Sequence, residues 1–438
     1  MRVMLSPSRF GSVAWSMLFL MACSVDAAEL TVNSITDNTV AMDGQVTLRE
    51  AIIAANTDSM TDLGQSGLGA DVIDVGLLSG TMALNAMLPP ITTTIRIAGV
   101  PGALTISGSD GNVVRSRVLF IDGGDLALTG LRFADGAVRG GNGASSQQRT
   151  GGGGGAAGIG ALIFLNAGSV AIERCELAAS EARGGDGGSR EFSAGDGGGG
   201  GGGGIGGDGS PRPPTTLLGG VGGPGTPLPG VGGAMAMPGG EGAGGGGGRF
   251  TNAPTAENPG GDGGVFGGGG GGGQKVDPGQ LPPTGGAGGF GAGGGGRGGG
   301  DASGDGVGGA AGQFGGAGAA SSSQGNIAGG GGGGAGLGGC IFARSGSLKL
   351  QSVLFTNCTA FRGLAGTNSQ NLGGNGAGKG GAIFVGDAAN AQAHALTFSL
   401  NDATDSVGSG YTPGQASDTD DVYGVIAEYP LLLDGFEN

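Results

Sequence analysis

The side chains able to do chemistry in this chain are few and scattered. Hydrolysis of a glycosidic bond needs two carboxylates at a defined separation. Elimination from an acidic sugar needs a base, with cations or Ca2+ to neutralise the acid. Asn56-Thr57-Asp58 offers one carboxylate and Asp418-Thr419-Asp420-Asp421 three. The first group follows a helical stretch and the second lies in a polar C-terminal stretch, so neither sits on a repeat strand. The one histidine, His394, falls at a variable strand position that matches Gln351, Glu173 and Thr129, where a solvent-facing residue is expected. Gly67–Asp74 reads GLGADVID, most of one GGxGxDxUx nonapeptide, with Ser66 in the first glycine slot. Such Ca2+ sites are built by stacking several copies, so a turn into a core strand is the simpler reading. The expectation is a non-enzyme with no catalytic, cofactor or metal site.

The cysteines add little chemistry. Cys23, Cys175, Cys340 and Cys358 fit no zinc spacing. Cys340 and Cys358 fall in one repeat unit and could pair in an exported chain. The expectation is instead that Cys175, Cys340 and Cys358 are small buried hydrophobes. Cys340 stands where the aligned units carry Ala161 and Ala382.

The elements that would position any site come from a repeat. Ser116–Gly136, Gly160–Ser180, Gly339–Cys358 and Gly381–Asn401 each read as an apolar strand, a tight turn and a second strand. Phe133, Leu177, Phe355 and Phe398 share one slot. Leu128, Ile172, Leu350 and Ala393 share another, and Leu131, Cys175, Val353 and Leu396 a third. Such columns arise when each unit buries its apolar face on the next. From Ala70 onward, short runs of period two replace one another with no crossover helix, which predicts an all-β stack with parallel pairing between units. Ahead of them, Gln45–Asn56 has helical spacing with Leu48, Ile52 and Ala55 on one face, and Asp43-Gly44 gives a turn into it. That helix is expected to cover the first coil, whose edges would otherwise invite pairing.

Glycine dominates what remains: 115 of 438 residues. Three glycine-rich excursions, 137–159, 182–338 and 362–380, leave after the second strand of a unit and return before the next first strand. Equivalent positions in a stack lie above one another, so the excursions are expected to form a single lateral lobe. The core is then one domain over 29–410, followed by a polar tail at 411–438. Two readings of the lobe stay open. Glycine loses the most entropy on ordering, which favours a flexible excursion. The triplet habit of GGDGGS and GGAGGFGAG instead suits extended helices of three residues per turn, packed closely where side chains are absent.

The ends and the charge bound the setting. Arg2, Arg9 and the apolar Val13–Ala22 make an export signal, with small residues at Val25-Asp26-Ala27 marking cleavage after about residue 28. Leu20-Met21-Ala22-Cys23 resembles a bacterial lipobox and offers lipidation at Cys23 as the alternative. The net charge of −15 argues against nucleic acid as a partner. No other segment is long and apolar enough to cross a bilayer as a helix.

Thr31–Ser34 (TVNS) and Val46–Asn56 (VTLREAIIAAN) resemble the CSLREA-type N-terminal motif of exported bacterial proteins, with Val46 and Thr47 in place of its Cys and Ser. The runs that follow, from ADVIDV to LALTGLRF, also look like those chains. The resemblance implies a right-handed parallel β-helix of the pectin-lyase-like class. Gly380–Phe384 (GGAIF) and Phe398–Asn401 (FSLN) resemble repeats of polymorphic outer-membrane proteins, and DGFE near the C-terminus resembles the tails of some exported bacterial proteins. Asn56-Thr57-Asp58 resembles the NTD of pectin hydrolases, without their supporting histidine and basic motifs. The expected function is a monomeric, secreted or surface-bound bacterial protein, adhesin-like or structural, meeting extracellular polysaccharide or a host or cell surface. A polysaccharide lyase or glycosidase on the same fold is the alternative.

Overall fold

A computed structural model describes residues 27–429 except 112–115, 148, 192–198, 213–217, 251–258, 275–282, 300–306, 321–327, 368–371 and 409. Residues 1–26, which hold most of the segment read as an export signal and Cys23, and residues 430–438 lie outside the described residues.

The chain is all-β apart from one described helix, and its strands stack in parallel, unit on unit. One ladder runs through Glu29–Thr31, Ala70–Asp74, Thr94–Ala98, Leu119–Thr129, Ile163–Glu173, the first halves of Ile341–Phe361 and Ile383–Ser399, and Val422–Glu428. A second ladder runs through Gly80–Ala83, Leu104–Ser107, Arg132–Ala134, Glu176–Arg183 and the second halves of the two long strands. A third and shorter ladder joins Gly158–Ile159, Gly336–Leu337 and Gly378–Lys379. No hairpin joins successive members of a ladder. The chain reaches its next parallel partner only after passing through the other elements of its unit.

The repeat columns set the register. Leu177 pairs with Phe133 and Phe355, and Phe355 pairs with Phe398. Ile172 pairs with Leu128 and Leu350, and Leu350 with Ala393. Most of these side chains are buried in one core cluster with Leu131, Cys175 and Val353. A slip of one residue would turn every one of them outward, so the apolar alternation enforces the pairing. His394 pairs with Gln351 on the outward phase, as its column predicts. Between the two ladders the backbone turns a left-handed corner at Gly130, Arg174, Ser352 and Ala395, with φ of 66°, 51°, 53° and 55°.

The helix is Leu48–Thr57, and Thr47 caps it. The Thr47 hydroxyl accepts the Glu50 amide, and the Glu50 carboxylate accepts the Thr47 amide, which satisfies two otherwise orphaned donors. Leu48, Ile52 and Ala55 are buried with Leu30, Val32 and Ile73 of the first units. Gly67 passes so near that a methyl on it would fall closer than 3.0 Å to the Ala54 carbonyl oxygen.

Two expectations change. Cys340 and Cys358 form a disulfide, with Cα atoms 5.5 Å apart, and among the described residues Cys175 alone is a free thiol, buried. The strand Ile341–Phe361 turns at Ser352 and Asn357, both at positive φ, and this brings residue 358 back beside residue 340. Spacing along the sequence does not reveal that return. The stack also passes the expected boundary at 410. Val422–Glu428 pairs in parallel with Ile383–Ser399, and Val422 and Ile426 are buried. Ala416–Asp418 covers its other edge in antiparallel pairing. The run had read as tail because only two of its residues face the core and acidic residues precede it.

Leu177→Asp is expected to cost about 4 kcal/mol in chemical denaturation, because it buries a charge between two phenylalanines. Glu176→Ala, one residue away on the outward phase, should change stability by less than about 0.5 kcal/mol, since its pairing with Arg132 is a surface ion pair.

Candidate functional site

The three excursions assemble into one slab of extended glycine helices beside the stack. Along 151–158 the amides rotate through three neighbours. Gly151, Gly154 and Ala157 donate to the carbonyls of Gly272, Gly269 and Phe266. Gly152, Gly155 and Gly158 donate to those of Gly329, Gly332 and Ala335, and Gly153 and Ala156 to those of Ala144 and Gly141, all at 2.7–3.1 Å. A donor that returns to the same neighbour every third residue defines a helix of three residues per turn. Acceptor numbers that fall mark an antiparallel neighbour, and numbers that rise mark a parallel one. The carbonyls of the same stretch accept from Gly200 and Gly203, from Gly185 and Gly188, and from Gly293 and Gly296. This helix therefore has six neighbours, three that it donates to and three that donate to it. The stretches 199–204, 267–273, 292–297 and 329–335 are surrounded in the same way.

That packing explains which glycine pattern goes where. In an enclosed three-fold helix all three phases face another backbone, so glycine fills them, with buried side chains such as Ala156, Ala292 and Arg297 only towards the ends of these stretches. A methyl on Gly154 would fall closer than 3.0 Å to the Gly293 carbonyl oxygen, and one on Gly268 equally close to that of Gly154. The uninterrupted runs, such as 199–204 and 267–273, are buried in the interior. At the rim one phase faces water and tolerates a side chain. Rim stretches therefore read Gly-Gly-X, as in GGDGGV at 260–265 and GGAGGF at 285–290. The flexible reading of the lobe fails because each enclosed glycine amide has a specific acceptor. The triplet reading holds, and its breaks mark interior helices and connecting loops.

The slab is fastened to the stack by aromatic rings. Phe120, Phe164, Phe342, Phe384 and Tyr423 occupy the position next to the core residues of the first ladder and face the other way. Phe342 stacks on Phe384 at 5.1 Å, and Phe384 on Tyr423 at 4.7 Å. Three slab residues at turns between glycine helices meet them edge-on. Phe266 contacts Phe164 and Phe342, Phe290 contacts Phe384, and Phe314 contacts Phe384 and Tyr423, with centroids 5.1–6.2 Å apart. Two arginines add to the seam. Arg344 pairs with Glu241 and lies 5.4 Å over the Phe266 ring. Arg117 is buried, donates to the carbonyls of Ile159 and Gly160 at 2.7 and 2.9 Å, and desolvation pushes its pKa down to about 10. The recurring phenylalanine of the repeats was visible in the sequence, and its role as a docking column was missed.

The residues singled out for chemistry have structural work. Asn56 donates to the Pro90 carbonyl and accepts from Thr92 and Thr93, which ties the capping helix to the next unit. Asp58 is the helix C-cap at φ 50°. Asp71 accepts the Leu68 amide at 2.8 Å within the turn read from GLGADVID, and burial pushes its carboxyl up. Asp418 pairs with Lys379 at 2.7 Å, Asp420 accepts from Ser406, and Asp421 accepts from Asn401. Asp58 lies near enough for its charge to push the Asp71 carboxyl up further, and no described contact joins Asp418, Asp420 or Asp421 to either.

Two concavities lie on the stack. A trough of about 230 Å³ crosses the outer face of the first ladder, with Arg96 and Lys349 at its ends, Ala127 and Ala171 between, and Glu173 and Tyr429 beside them. Its one carboxylate, Glu173, faces Arg174 at 3.2 Å. A second, of about 500 Å³, holds Asp387, Asp418 and Tyr423. Burial, then the charges of Asp418 and Asp387, push the Tyr423 phenol up. The Lys379 ammonium occupies Asp418 Oδ2.

Gly154→Ala or Gly268→Ala should lower stability by about 3 kcal/mol or more, since a carbonyl and its helix must move to admit the methyl. Ala310→Val, on an outward rim phase, should stay within about 0.5 kcal/mol. Equal losses at the three positions, in thermal or denaturant unfolding, would contradict the rule that a phase facing a neighbouring carbonyl admits only glycine. No protein-family model, curated protein or solved structure matches the chain, so any functional reading rests on its own geometry.

Proposed function

We propose that this is an exported, non-enzymatic scaffold protein of the bacterial surface or extracellular matrix. In this reading the three ladders are faces of a right-handed parallel β-helix of the pectin-lyase-like, CSLREA-type class, and the glycine slab is the part held out to the surroundings. The observation that carries the reading is the slab itself. Enclosed backbone amides throughout it are committed to other backbones, and its rings are committed to the seam. Such a body offers rigidity and a fixed outer surface, and among its described residues no acid, base and nucleophile converge as catalysis needs. Loops and insertions on a rigid frame are where binding commonly resides.

Fractionation of native cells, with protease shaving of intact ones, tests the setting. The expected result is protein at the surface or in the matrix, cleaved at the connecting loops of the slab while the stack stays whole. Retention in a protected periplasm, or release of unsaturated uronides from acidic glycans by the purified protein, would overturn the reading. Deletion of 184–334 is expected to yield aggregation-prone protein and not a free-standing stack, because it would bare Phe164, Phe342 and Phe384.

A further inference from the structure

The slab is built in layers, and its two broad faces differ. One outer layer consists of the stretches 230–234, 237–240, 259–265, 284–290 and 307–313, the first two joined by a turn at Met235-Ala236. Neighbours in it are bonded through Gly239 to Asp262, Gly263 to Ala287 and Gly288 to Ala310. Its outward phase carries Val231, Met237, Val265 and Val307, exposed by 79%, 59%, 37% and 61%, with the small Ala234 and Ala310 also exposed. Among the described residues Asp262 is the charged group on that phase, its Oδ1 accepting the Ala287 amide at 2.7 Å, and Thr284 and Gln313 are exposed polar members. The opposite layer, 140–145, 184–189 and 363–367, carries charged and polar groups beside the exposed Leu364. There Asp186 pairs with Arg139 at 2.7 Å and Asn142 accepts the Asp186 amide at 2.8 Å.

An apolar face of this extent on one side of a slab calls for an occupant. A lipid surface fits poorly. The outward phase carries no Lys, Arg, Trp or Tyr, and the chain's net charge of −15 repels anionic bilayers. A second copy of the face fits well. Outward side chains recur about every 9 Å along helices about 5 Å apart, so two such faces can interdigitate about a two-fold axis. Five short helices with about two outward residues each give about 500 Å² per copy, or about 1,000 Å² for a pair, which reaches the size of a specific interface. Because the face is nearly free of charge, the net charge of the chain is carried elsewhere and does not oppose contact there.

We propose that two copies of this chain associate through the apolar face of their glycine slabs, as a two-fold symmetric dimer. The proposal stands independently of the surface setting proposed above and departs from the monomer expected from sequence.

Sedimentation equilibrium of the full mature chain, from about 1 to 100 µM, tests it. The expected result is a reversible dimer in the micromolar range. Val231→Asp with Val307→Asp should weaken it by about a hundredfold with no change in circular dichroism or thermal midpoint. Leu364→Asp, at an exposed apolar residue of the opposite layer, should leave it unchanged. A monomer throughout the range would overturn the proposal, and so would a dimer that the Val231/Val307 double variant leaves intact or that Leu364→Asp weakens equally.

Discussion

The structure depends on one constraint: backbone amides that approach within hydrogen-bonding distance of a second backbone on every side leave no room for a Cβ. In an ordinary sheet a strand has two bonded neighbours and its side chains leave above and below. In the slab an interior helix has six, and the directions side chains would take are filled by carbonyl oxygens. Glycine is therefore required for steric reasons wherever a neighbouring carbonyl fills the Cβ direction. The high glycine content, which suggests flexibility when considered as composition alone, is here the condition for close packing.

That packing needs help to begin. Ordering a residue's backbone costs about 1–2 kcal/mol, most for glycine, while each bond returns a net of about 0.5–1.5 kcal/mol. Glycine helices with no side chains to bury gain little from the hydrophobic effect. The stack supplies what is missing. The stretches 140–144, 184–188 and 363–366 continue directly from stacked strands, and 151–158, 329–335 and 373–378 lead directly into them. Their spacing and direction are thus set before any glycine bond forms. The aromatic column then adds the apolar burial that glycine cannot, with Phe266, Phe290 and Phe314 inserted as pegs. The stack in turn benefits, because the slab covers Phe120, Phe164, Phe342 and Phe384, which would otherwise face water.

The sequence made the stack largely legible and the slab only half so. Columns such as Leu128, Ile172 and Leu350 could be aligned without gaps because an inward side chain must match the one below it, and register follows from that match. The capping helix was visible through Leu48, Ile52 and Ala55. The Cys340–Cys358 bridge was not, since it depends on two corners at Ser352 and Asn357 that no local pattern marks. The slab posed a different difficulty. Hydrophobic periodicity carries no signal in a run such as 267–273, which has no side chains, and its partners lie far away in sequence, at 151–154, 200–203 and 293–296. The contrast between unbroken glycine runs and Gly-Gly-X runs was present all along, but its meaning depends on knowing that helices are enclosed. For chemistry, the sequence marked out only scattered groups, and of these Asn56, Asp71 and Asp418 have structural partners.

Amide hydrogen exchange across 151–158, 199–204 and 267–273, followed residue by residue in the intact protein, bears most directly on this architecture. Protection comparable to that of the Ile163–Glu173 strand, lost together with it in one unfolding step, is what six-neighbour packing on a β-stack predicts. Exchange at the rate of a free glycine chain, with the stack still protected, would contradict it.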